Sequence, residues 1–469
     1  MGFIDNVKTA WQNLLTMDDY FNDERRQRLE RQATLRDYYK GVHRKQMKVR
    51  TGQADDNISL NFVGLVIERG ISMLLGEGIE FDMGGEDDED ERQQYIDEVW
   101  RANRKDILLH KTAQFGGTLG TCYMKLLPDG LESRDNENKM VPRLVPLDPL
   151  LMEIETFPED IDEVMRYVMR FNIWDDVEKR EVARKEITER IFTAIEEGGK
   201  IVGFRNDGWS VKNYKSNRAG KWELMGEEIW DYEFAPILHW QNLPLAGSVY
   251  GKSDVIDVID LQDRINFIAS NVSKIIRYHA HPKTMGIGLN AAPEDTAIDG
   301  FWKIPNADAK VENLEMQSDL TSSQAYLLNL RQSFFDITRT VDITSIADKL
   351  GALTNFGLRV LFYDALAKLN SKRELYGEAL QELNHRILTV SEISETDGGE
   401  VVWPDTLPTD EREEVEGLRF DLDAGLTSKR TAARERGYDY EVEQERIEEE
   451  RVQGDNIGAL LLREFNQGG

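Results

Sequence analysis

Cysteine is almost absent from this chain of 469 residues. Cys122 is the only one, so no intrachain disulfide can form, and we expect the protein to assemble in a reducing compartment. The six histidines form no Ser/His/Asp or Cys/His arrangement at a recognisable spacing, which leaves no candidate nucleophile. His279 and His281 have no further cluster of metal ligands near them in the sequence. We therefore predict no enzyme activity, no metal and no cofactor.

Long apolar runs are lacking as well. The most apolar stretch, residues 62–75, is interrupted by Glu68 and Arg69 and is shorter than the ~20 apolar residues that cross a bilayer. The start of the chain, Met1 to Asn6, resembles neither a signal peptide nor a myristoylation site. We expect no membrane partner and a protein that stays in the compartment where it is made.

Positive charge is scarce relative to negative charge, with 58 Lys and Arg against 87 Asp and Glu and a formal net charge of −29. Tight DNA binding depends mainly on Lys and Arg that neutralise phosphates, so any contact with DNA must be local or weak. The hydrophobic content of 40% is not that of a disordered chain. The length allows about three domains of roughly 150 residues each.

Two segments have the apolar spacing of long helices. Between residues 251 and 278, and again between 319 and 341, apolar residues recur at steps of three and four, which predicts one continuous seam on each helix. Matched seams predict a packed antiparallel pair, from which residues 279–318, rich in Pro, Gly and Asn, project as a separate tip. The seam residues are Val258, Leu261, Ile265, Ile268, Val272 and Ile275 in the first helix and Leu320, Leu327, Leu330, Phe334, Ile337 and Val341 in the second.

The other segments complete a mainly α fold with a β-rich insert, which belongs to the α+β class. Residues 143–240 contain short apolar stretches separated by turn signals and predict strands. A polar loop at 342–354 precedes a long helical pattern over 356–389. After Pro408 we predict small helices, one of which has Ser428 as its N-cap.

One segment has nearly the spacing of a phosphate-binding loop. Residues 246–253 read Ala-Gly-Ser-Val-Tyr-Gly-Lys-Ser, with Ala in place of the first Gly, between a predicted strand and a predicted helix. Val249 and Tyr250 are too bulky for a nest of converging N–H groups, and no later strand ends in an acidic residue that would hold Mg²⁺. We favour a helix start at which Gly251 turns and Ser253 caps, with an ATP-binding enzyme as the alternative.

A second glycine-rich stretch is also weak as a nucleotide site. Gly116, Gly117 and Gly120 lack the G-x-G-x-x-G spacing of a dinucleotide-binding loop. Glycines in such a pattern indicate instead that two parts of the backbone approach each other closely. We therefore predict close backbone packing around these three residues.

Short phrases along the chain carry more information together than each does alone. They are Tyr-Tyr-Lys-Gly-Val-His at 38–43, Asn-Ile-Ser-Leu-Asn-Phe-Val at 57–63 leading to Leu-Gly-Glu-Gly-Ile at 75–79, Tyr-Gly-Lys-Ser-Asp at 250–254 leading to Leu-Gln-Asp-Arg-Ile-Asn at 261–266, and Gly-Leu-Thr-Ser at 425–428. In this order, together with the helix pair, tip, loop and long helix, they resemble the portal (head-to-tail connector) proteins of tailed bacteriophages. The resemblance covers nearly the whole chain. The acidic run near Asp88 and the β-rich insert depart from the family pattern.

The resemblance implies a homo-oligomeric ring, a dodecamer, at one vertex of a capsid. On this interpretation the chain divides into the named parts of a portal subunit. These are the wing with its β-rich module (1–250), the two stem helices (251–278 and 319–341), the clip between them (279–318), the tunnel loop (342–355), the long wing helix (356–392) and the crown (393–469).

The resemblance also implies partners, a location and functional residues. Double-stranded DNA would pass through the ring during packaging and ejection, and the terminase large subunit would dock on the clip. Further partners would be the major capsid and scaffolding proteins and the head–tail adaptor proteins, in a virion component assembled in the host cytoplasm. The candidate residues are Lys349, Ser345 and Thr354 in the tunnel loop, Trp302, Lys303 and Lys283 in the clip, and Leu261, Ile265, Ile268 and Phe334 for stem packing.

Overall fold

The computed structural model describes residues 24–48, 55–84, 91–133, 140–157, 159–197, 200–218, 220–280, 283–287, 310–314, 320–344, 355–394, 397–406, 411–436 and short stretches between 440 and 447. The chain divides into two compact units, with the boundary between Thr406 and Leu407. Helices and antiparallel strands both build the first unit, which confirms the predicted α+β class. Among the described helices, none combines the length and the apolar character needed to cross a membrane.

Helices form the core of the first unit. They are α1 (24–39), α2 (Phe62–Leu75), α3 (Glu91–Ala102), α4 (Lys105–Leu119), α5 (Ile259–Ala280), α6 (Leu320–Thr338), α7 (Asn355–Leu361) and α8 (Tyr363–Val390). α2 begins where the Asn61 side chain accepts a hydrogen bond from the N–H of Gly64 at 3.0 Å. It is the apolar stretch that was too short to span a membrane, and it packs against α4, α5 and α8 inside the core.

The first unit also contains strands, and those between residues 121 and 241 build the β-rich insert. The strands are β1 (Glu80–Asp82), β2 (Thr121–Glu132), β3 (Met140–Pro146), β4 (Met152–Thr156), β5 (Val164–Asp175), β6 (Arg180–Glu197), β7 (Lys200–Ser216), β8 (Trp222–Trp230), β9 (Ile237–Gln241), β10 (Lys283–Ile287), β11 (Lys310–Leu314) and β12 (Glu400–Val402). A five-stranded antiparallel sheet has the order β4-β5-β6-β7-β8, and a three-stranded one has the order β3-β2-β9. The insert predicted for 143–240 is confirmed, and it begins earlier, at Thr121.

The five-stranded sheet buries one of its two faces. Side chains from β4, β5, β7 and β8 form a core of their own, to which β2 and β9 contribute Tyr123 and Ile237. The members from the large sheet are Met152, Ile154, Val164, Tyr167, Trp209 and Trp230. Strand residues alternate between the two faces of a sheet, so the opposite face of this sheet points towards solvent.

The two predicted stem helices, α5 and α6, pack against each other, and the antiparallel hairpin of β10 and β11 lies between them in the chain. α5 begins at Ile259 after a short 3₁₀ turn, and not at residue 251. α6 buries Phe334 and Phe335 side by side, while Ile337 is 52% exposed. The apolar seam predicted for this helix therefore does not hold at Ile337, because its last turns bury the neighbouring Phe335 instead.

Two further boundaries differ from the sequence prediction. The long helix predicted over 356–389 is divided at Phe362 into α7 and α8, although the Phe362 N–H still bonds to the Leu358 carbonyl at 2.9 Å. Residues 397–406, assigned to the crown, belong to the first unit because β12 pairs with β1. That pairing joins Val401 to Phe81 across the two strands.

The second unit contains two short helices, α9 (Glu411–Asp423) and α10 (Lys429–Glu435). α9 ends before Gly425, which adopts a positive φ of 70° that favours glycine. The Ser428 hydroxyl accepts a hydrogen bond from the N–H of Thr431 at 3.1 Å, which confirms Ser428 as the N-cap of the second helix.

Candidate functional site

Most of the predicted channel and docking residues lie outside the described part of the chain. This applies to Lys349, Ser345 and Thr354 of the tunnel loop and to Trp302 and Lys303 of the clip. Lys283 is the first residue of β10, where its backbone lies opposite Leu314. Their functional roles therefore stay predictions.

The four predicted stem-packing residues are all described. Ile265 and Phe334 are fully buried in the main core, and Leu261 is partly buried against it. Ile268 is half-buried. The Phe334 ring lies 5.9 Å from the ring of Phe62, so the core that holds α6 is shared with α2. Whether these contacts belong to a stem stays a prediction.

A row of polar side chains holds α5 against the extended segment 57–61. Three fully buried residues of α5, each four positions after the previous one, accept hydrogen bonds from alternate backbone N–H groups at 3.1, 2.9 and 2.9 Å. The pairs are Gln262 with Phe62, Asn266 with Leu60, and Ser270 with Ile58. Two of these side chains also donate back to carbonyl groups of the segment. We call this row the polar ladder.

Residues 38–43 also contact the polar ladder. The Tyr38 hydroxyl donates a hydrogen bond to Asp263 at 2.6 Å, and Asn266 lies 2.9 Å from Nδ1 of His43. The Ser59 hydroxyl is 2.7 Å from the same nitrogen. Three of the sequence phrases that define the resemblance, at 38–43, 57–63 and 261–266, therefore contact one another in the folded chain.

The loop 246–253 has no free nest for a phosphate. The N–H of Gly251 donates to the Thr121 hydroxyl at 3.1 Å, and the N–H of Lys252 donates to the Leu243 carbonyl at 2.9 Å. A phosphate loop requires such groups to converge on the ligand, whereas here they bond to the protein. The Lys252 ammonium is 2.5 Å from the Asp257 carboxylate. The geometry therefore argues against ATP binding here.

Ser253 and Gly251 have different roles from the predicted helix start. The Ser253 hydroxyl accepts from the N–H of Val255 at 3.3 Å, as a capping residue does, but it lies six residues before α5 begins and also donates to the carbonyl of Gly117 at 3.0 Å. A Cβ atom on Gly251 would overlap the backbone of Gly120, and Gly120 itself has a positive φ of 93°. The close backbone packing predicted for the glycine-rich stretch is confirmed at these contacts.

Directly after this loop lies a buried cluster of three charges, which we call the charge node: Asp254, Lys368 and Lys372. The Asp254 carboxylate is 2.5 Å from the Lys372 ammonium and 3.0 Å from that of Lys368. Lys368 also donates to the carbonyl of Thr338, the last residue of α6, at 3.0 Å. The N–H of Asp254 donates to Gly117 in α4 at 3.0 Å. The charge node thus connects α4, the entry to α5, the end of α6 and α8.

The charges of the node decide its protonation. Burial raises the pKa of Asp254, but the charges of Lys372 and Lys368 outweigh that effect and lower the pKa to about 2. Burial lowers the pKa of Lys368, against the attraction of Asp254. The node holds one carboxylate between two ammonium groups. Protonation of Asp254 would remove their counter-charge and destabilise the folded chain.

A neutral cluster lies beside the node. The Tyr376 hydroxyl donates to Asn242 at 3.1 Å and lies 3.2 Å from the Cys122 sulfur. Burial raises the pKa of the Cys122 thiol to about 12, so this cysteine does not form a reactive thiolate at neutral pH. A Cβ atom on Gly116 would overlap both Tyr376 and Cys122. The cluster is close packing with satisfied polar groups, and the described residues contain no group of three potential metal ligands.

A comparison with protein families places this geometry in context. The phage portal protein family, SPP1 Gp6-like, matches residues 18–456. The chain belongs to the phage portal protein family. A comparison with curated proteins found no match. In this portal protein the matched region includes both the polar ladder and the charge node, which together connect the helices at the base of the α5–α6 pair.

Proposed function

We propose that this portal protein forms a closed, dodecameric ring at one capsid vertex and that double-stranded DNA passes through the ring during packaging and ejection. The observation that carries the proposal is the family match, which spans residues 18–456 of the chain. The packed pair of α5 and α6, with the β10–β11 hairpin between them, supports a stem that carries a clip.

Exposed apolar residues support contacts between copies. After α5 and α6 have packed, Tyr326 and Ile337, which share one face of α6, remain exposed by 43% and 52%, and Leu328 on the opposite face by 63%. An apolar helix face that stays uncovered within one chain is typical of a face that a neighbouring subunit buries. Head-to-tail contacts that close on themselves give rings.

The charge of the chain suits a conduit. A wall that bound phosphates tightly would hold DNA in place, whereas a chain with a net charge of −29 repels it. A sparse positive charge such as Lys349, repeated once in each subunit, would give a weak grip that depends on salt. Energy for transport would then come from a separate packaging ATPase that docks on the clip.

The first test is the mass of the assembly. We expect purified protein at micromolar concentration to have a mass that is a multiple of the 53.9 kDa chain, and images along its axis to show a ring. Mass photometry or native mass spectrometry gives the number of subunits. A particle with the mass of a single chain would contradict the proposed function.

A second test concerns the clip, where Trp302, Lys303 and Lys283 are the proposed docking residues. A Lys303→Glu variant is expected to form normal rings but to package DNA at least about tenfold less efficiently with its cognate ATPase, because a reversed charge at a docked surface repels the partner. The exposed Lys48 provides the matched control. If Lys303→Glu and Lys48→Glu package equally well, Lys303 is not in the docking surface.

A third test concerns the proposed tunnel loop and its residues Lys349, Ser345 and Thr354. Asp342 is already paired with Arg331 at 2.8 Å, so its charge is compensated within the chain. We expect Lys349→Ala to leave the ring intact and to change the salt dependence of DNA retention, while Lys349→Arg behaves like the unaltered protein. A ring that dissociates on Lys349→Ala would show that this lysine makes a structural contact.

A further inference from the structure

The strand β8 is unusually exposed for a strand of its length. It is the last strand of the five-stranded sheet, so within the described part of the chain only β7 pairs with it. All of its nine residues except Trp230 are exposed. An open edge of this kind offers a row of backbone donors and acceptors to any other extended chain.

The opposite edge of the same sheet is closed. The Arg28 guanidinium donates to the carbonyl of Met152 in β4 at 3.1 Å. The Tyr250 hydroxyl accepts from the N–H of Ile154 at 3.0 Å and donates to its carbonyl at 3.4 Å. Side chains thus occupy the backbone groups at this edge, as proteins do where strand pairing must be prevented. Among the described residues, one edge of the sheet is protected and the other is left open.

The solvent face of the sheet changes in character towards β8. On β4 to β7 this face carries charged residues that pair across strands, as Arg166 does with Glu155 and Lys212 with Glu189, both at 2.6 Å. On β8 the same face carries apolar side chains and one charged residue, Glu227, whose carboxylate is 3.6 Å from the Lys212 ammonium. The register places Trp222, Leu224 and Ile229 there, exposed by 40%, 53% and 62%. An apolar strip beside an unpaired edge is typical of an interaction surface.

We propose that β8 binds an extended, basic segment of a second protein, which adds a strand to the sheet. β8 also carries three glutamates, of which Glu227 is paired with Lys212, while Glu223 and Glu228 lie on the other face of the sheet by register. Neighbouring strands place opposite charges across from one another, so the added strand carries Lys or Arg opposite Glu223 and Glu228. Apolar residues alternate with the basic ones and cover Trp222, Leu224 and Ile229. Backbone hydrogen bonds supply affinity, and the alternate side chains supply specificity.

A second copy of this chain fits the edge poorly. Two β8 strands paired with each other would bring the three glutamates of each strand into one interface. Such a contact is also two-fold symmetric, and it does not generate the closed ring of the proposed function. These charges disfavour pairing between two β8 strands and favour a basic chain as the occupant.

The test uses the full chain and two labelled nine-residue peptides, one alternating Val and Lys and one alternating Pro and Lys. Both peptides carry the same charge, but only the first can add a strand, because Pro lacks the N–H group. We expect fluorescence anisotropy at physiological salt to show at least about tenfold tighter binding of the Val–Lys peptide. Equal affinities would mean electrostatic adhesion only, and absence of binding at millimolar peptide would equally overturn the proposal.

Two variants locate the binding site on β8. Glu223→Lys with Glu228→Lys is expected to weaken Val–Lys binding about tenfold, and Ile229→Thr, which keeps a β-branched residue, about threefold. Glu159→Lys with Asp162→Lys changes the net charge equally at exposed positions away from β8 and is expected to change binding less than about twofold.

Two outcomes would overturn the assignment to β8. One is equal weakening by the edge and control variants, and the other is a concentration-dependent dimer of the protein that Ile229→Thr abolishes. The binding site lies within one chain, so this test can fail while ring formation and packaging proceed normally.

Discussion

Replacing Asp254 by alanine is expected to lower the free energy of unfolding by about 3–5 kcal/mol. The change removes the only carboxylate of the charge node and leaves the ammonium groups of Lys368 and Lys372 buried without it. The exposed fraction of the Lys372 side chain is 5%, so water cannot replace the lost partner without opening the core. Urea denaturation of the purified chain, followed by circular dichroism, measures the loss.

The matched control is the neighbouring pair of Asp257 and Lys252. These side chains are 54% and 40% exposed, and Asp257→Ala is expected to change stability by at most about 1 kcal/mol. In Asp254→Ala, a further Lys372→Met change should recover part of the loss, because it removes one of the two unpaired charges. If Asp254→Ala is no less stable than Asp257→Ala, the node does not stabilise the fold.

The node also predicts a dependence on pH. The pKa of Asp254 is about 2 in the folded chain, below the ~3.9 of an unperturbed aspartate. A group with a lowered pKa contributes stability above its unfolded pKa and loses it as the pH falls through the folded value. The stability difference between the unaltered protein and Asp254→Ala should therefore decrease as the pH falls from about 4 to about 2.

The charge node could not be predicted from the sequence. Lys368 and Lys372 lie four residues apart in a long helical pattern, where charged residues usually face solvent. Asp254 is 114 residues or more away in the chain, and nothing in its surroundings marks it as buried. Apolar periodicity reports which face of a helix is buried, but it does not report which charged residues another element brings onto that face.

The start of α5 also could not be predicted correctly from the sequence. Ser253 before an apolar pattern indicates an N-cap, yet its hydroxyl bonds to Gly117 of another helix, and α5 begins only at Ile259. The same hydroxyl accepts a hydrogen bond from the N–H of Val255 at 3.3 Å, so it serves the turn before α5 and the tertiary contact together. Apolar residues of the predicted seam that face the main core, such as Ile265, followed the sequence pattern more closely. The pairing of the three-residue β12 with β1 was too short and too distant in sequence to be predicted.

The apolar pattern of the sequence did not indicate the polar ladder, for a different reason. Gln262, Asn266 and Ser270 are polar, so a search for apolar seams assigns them to the solvent face of α5, although all three are buried. Their spacing of four residues was a usable signal, because it places three small hydrogen-bonding side chains in one row along a helix. The phrases of the family resemblance contained two of them, and the structure shows what these two hold in place.

Asn266→Leu is expected to lower the free energy of unfolding by about 2–4 kcal/mol. Leucine is close in size to asparagine but accepts no hydrogen bond, so the N–H of Leu60 loses its partner at 2.9 Å. The amide of Gln262 and the ring of His43 lose a partner in the same step. Hydrogen exchange gives a direct measurement, because the Leu60 amide should exchange faster in the variant while amides of the five-stranded sheet do not change.

Lys274→Leu, on an exposed position of the same helix, is the matched control and is expected to change stability by no more than about 0.5 kcal/mol. The two variants introduce the same side chain into α5, so any difference in helix propensity between them is small compared with the lost hydrogen bonds. Equal stability of the two variants, or unchanged protection of the Leu60 amide in Asn266→Leu, would show that the polar ladder does not hold segment 57–61 against α5.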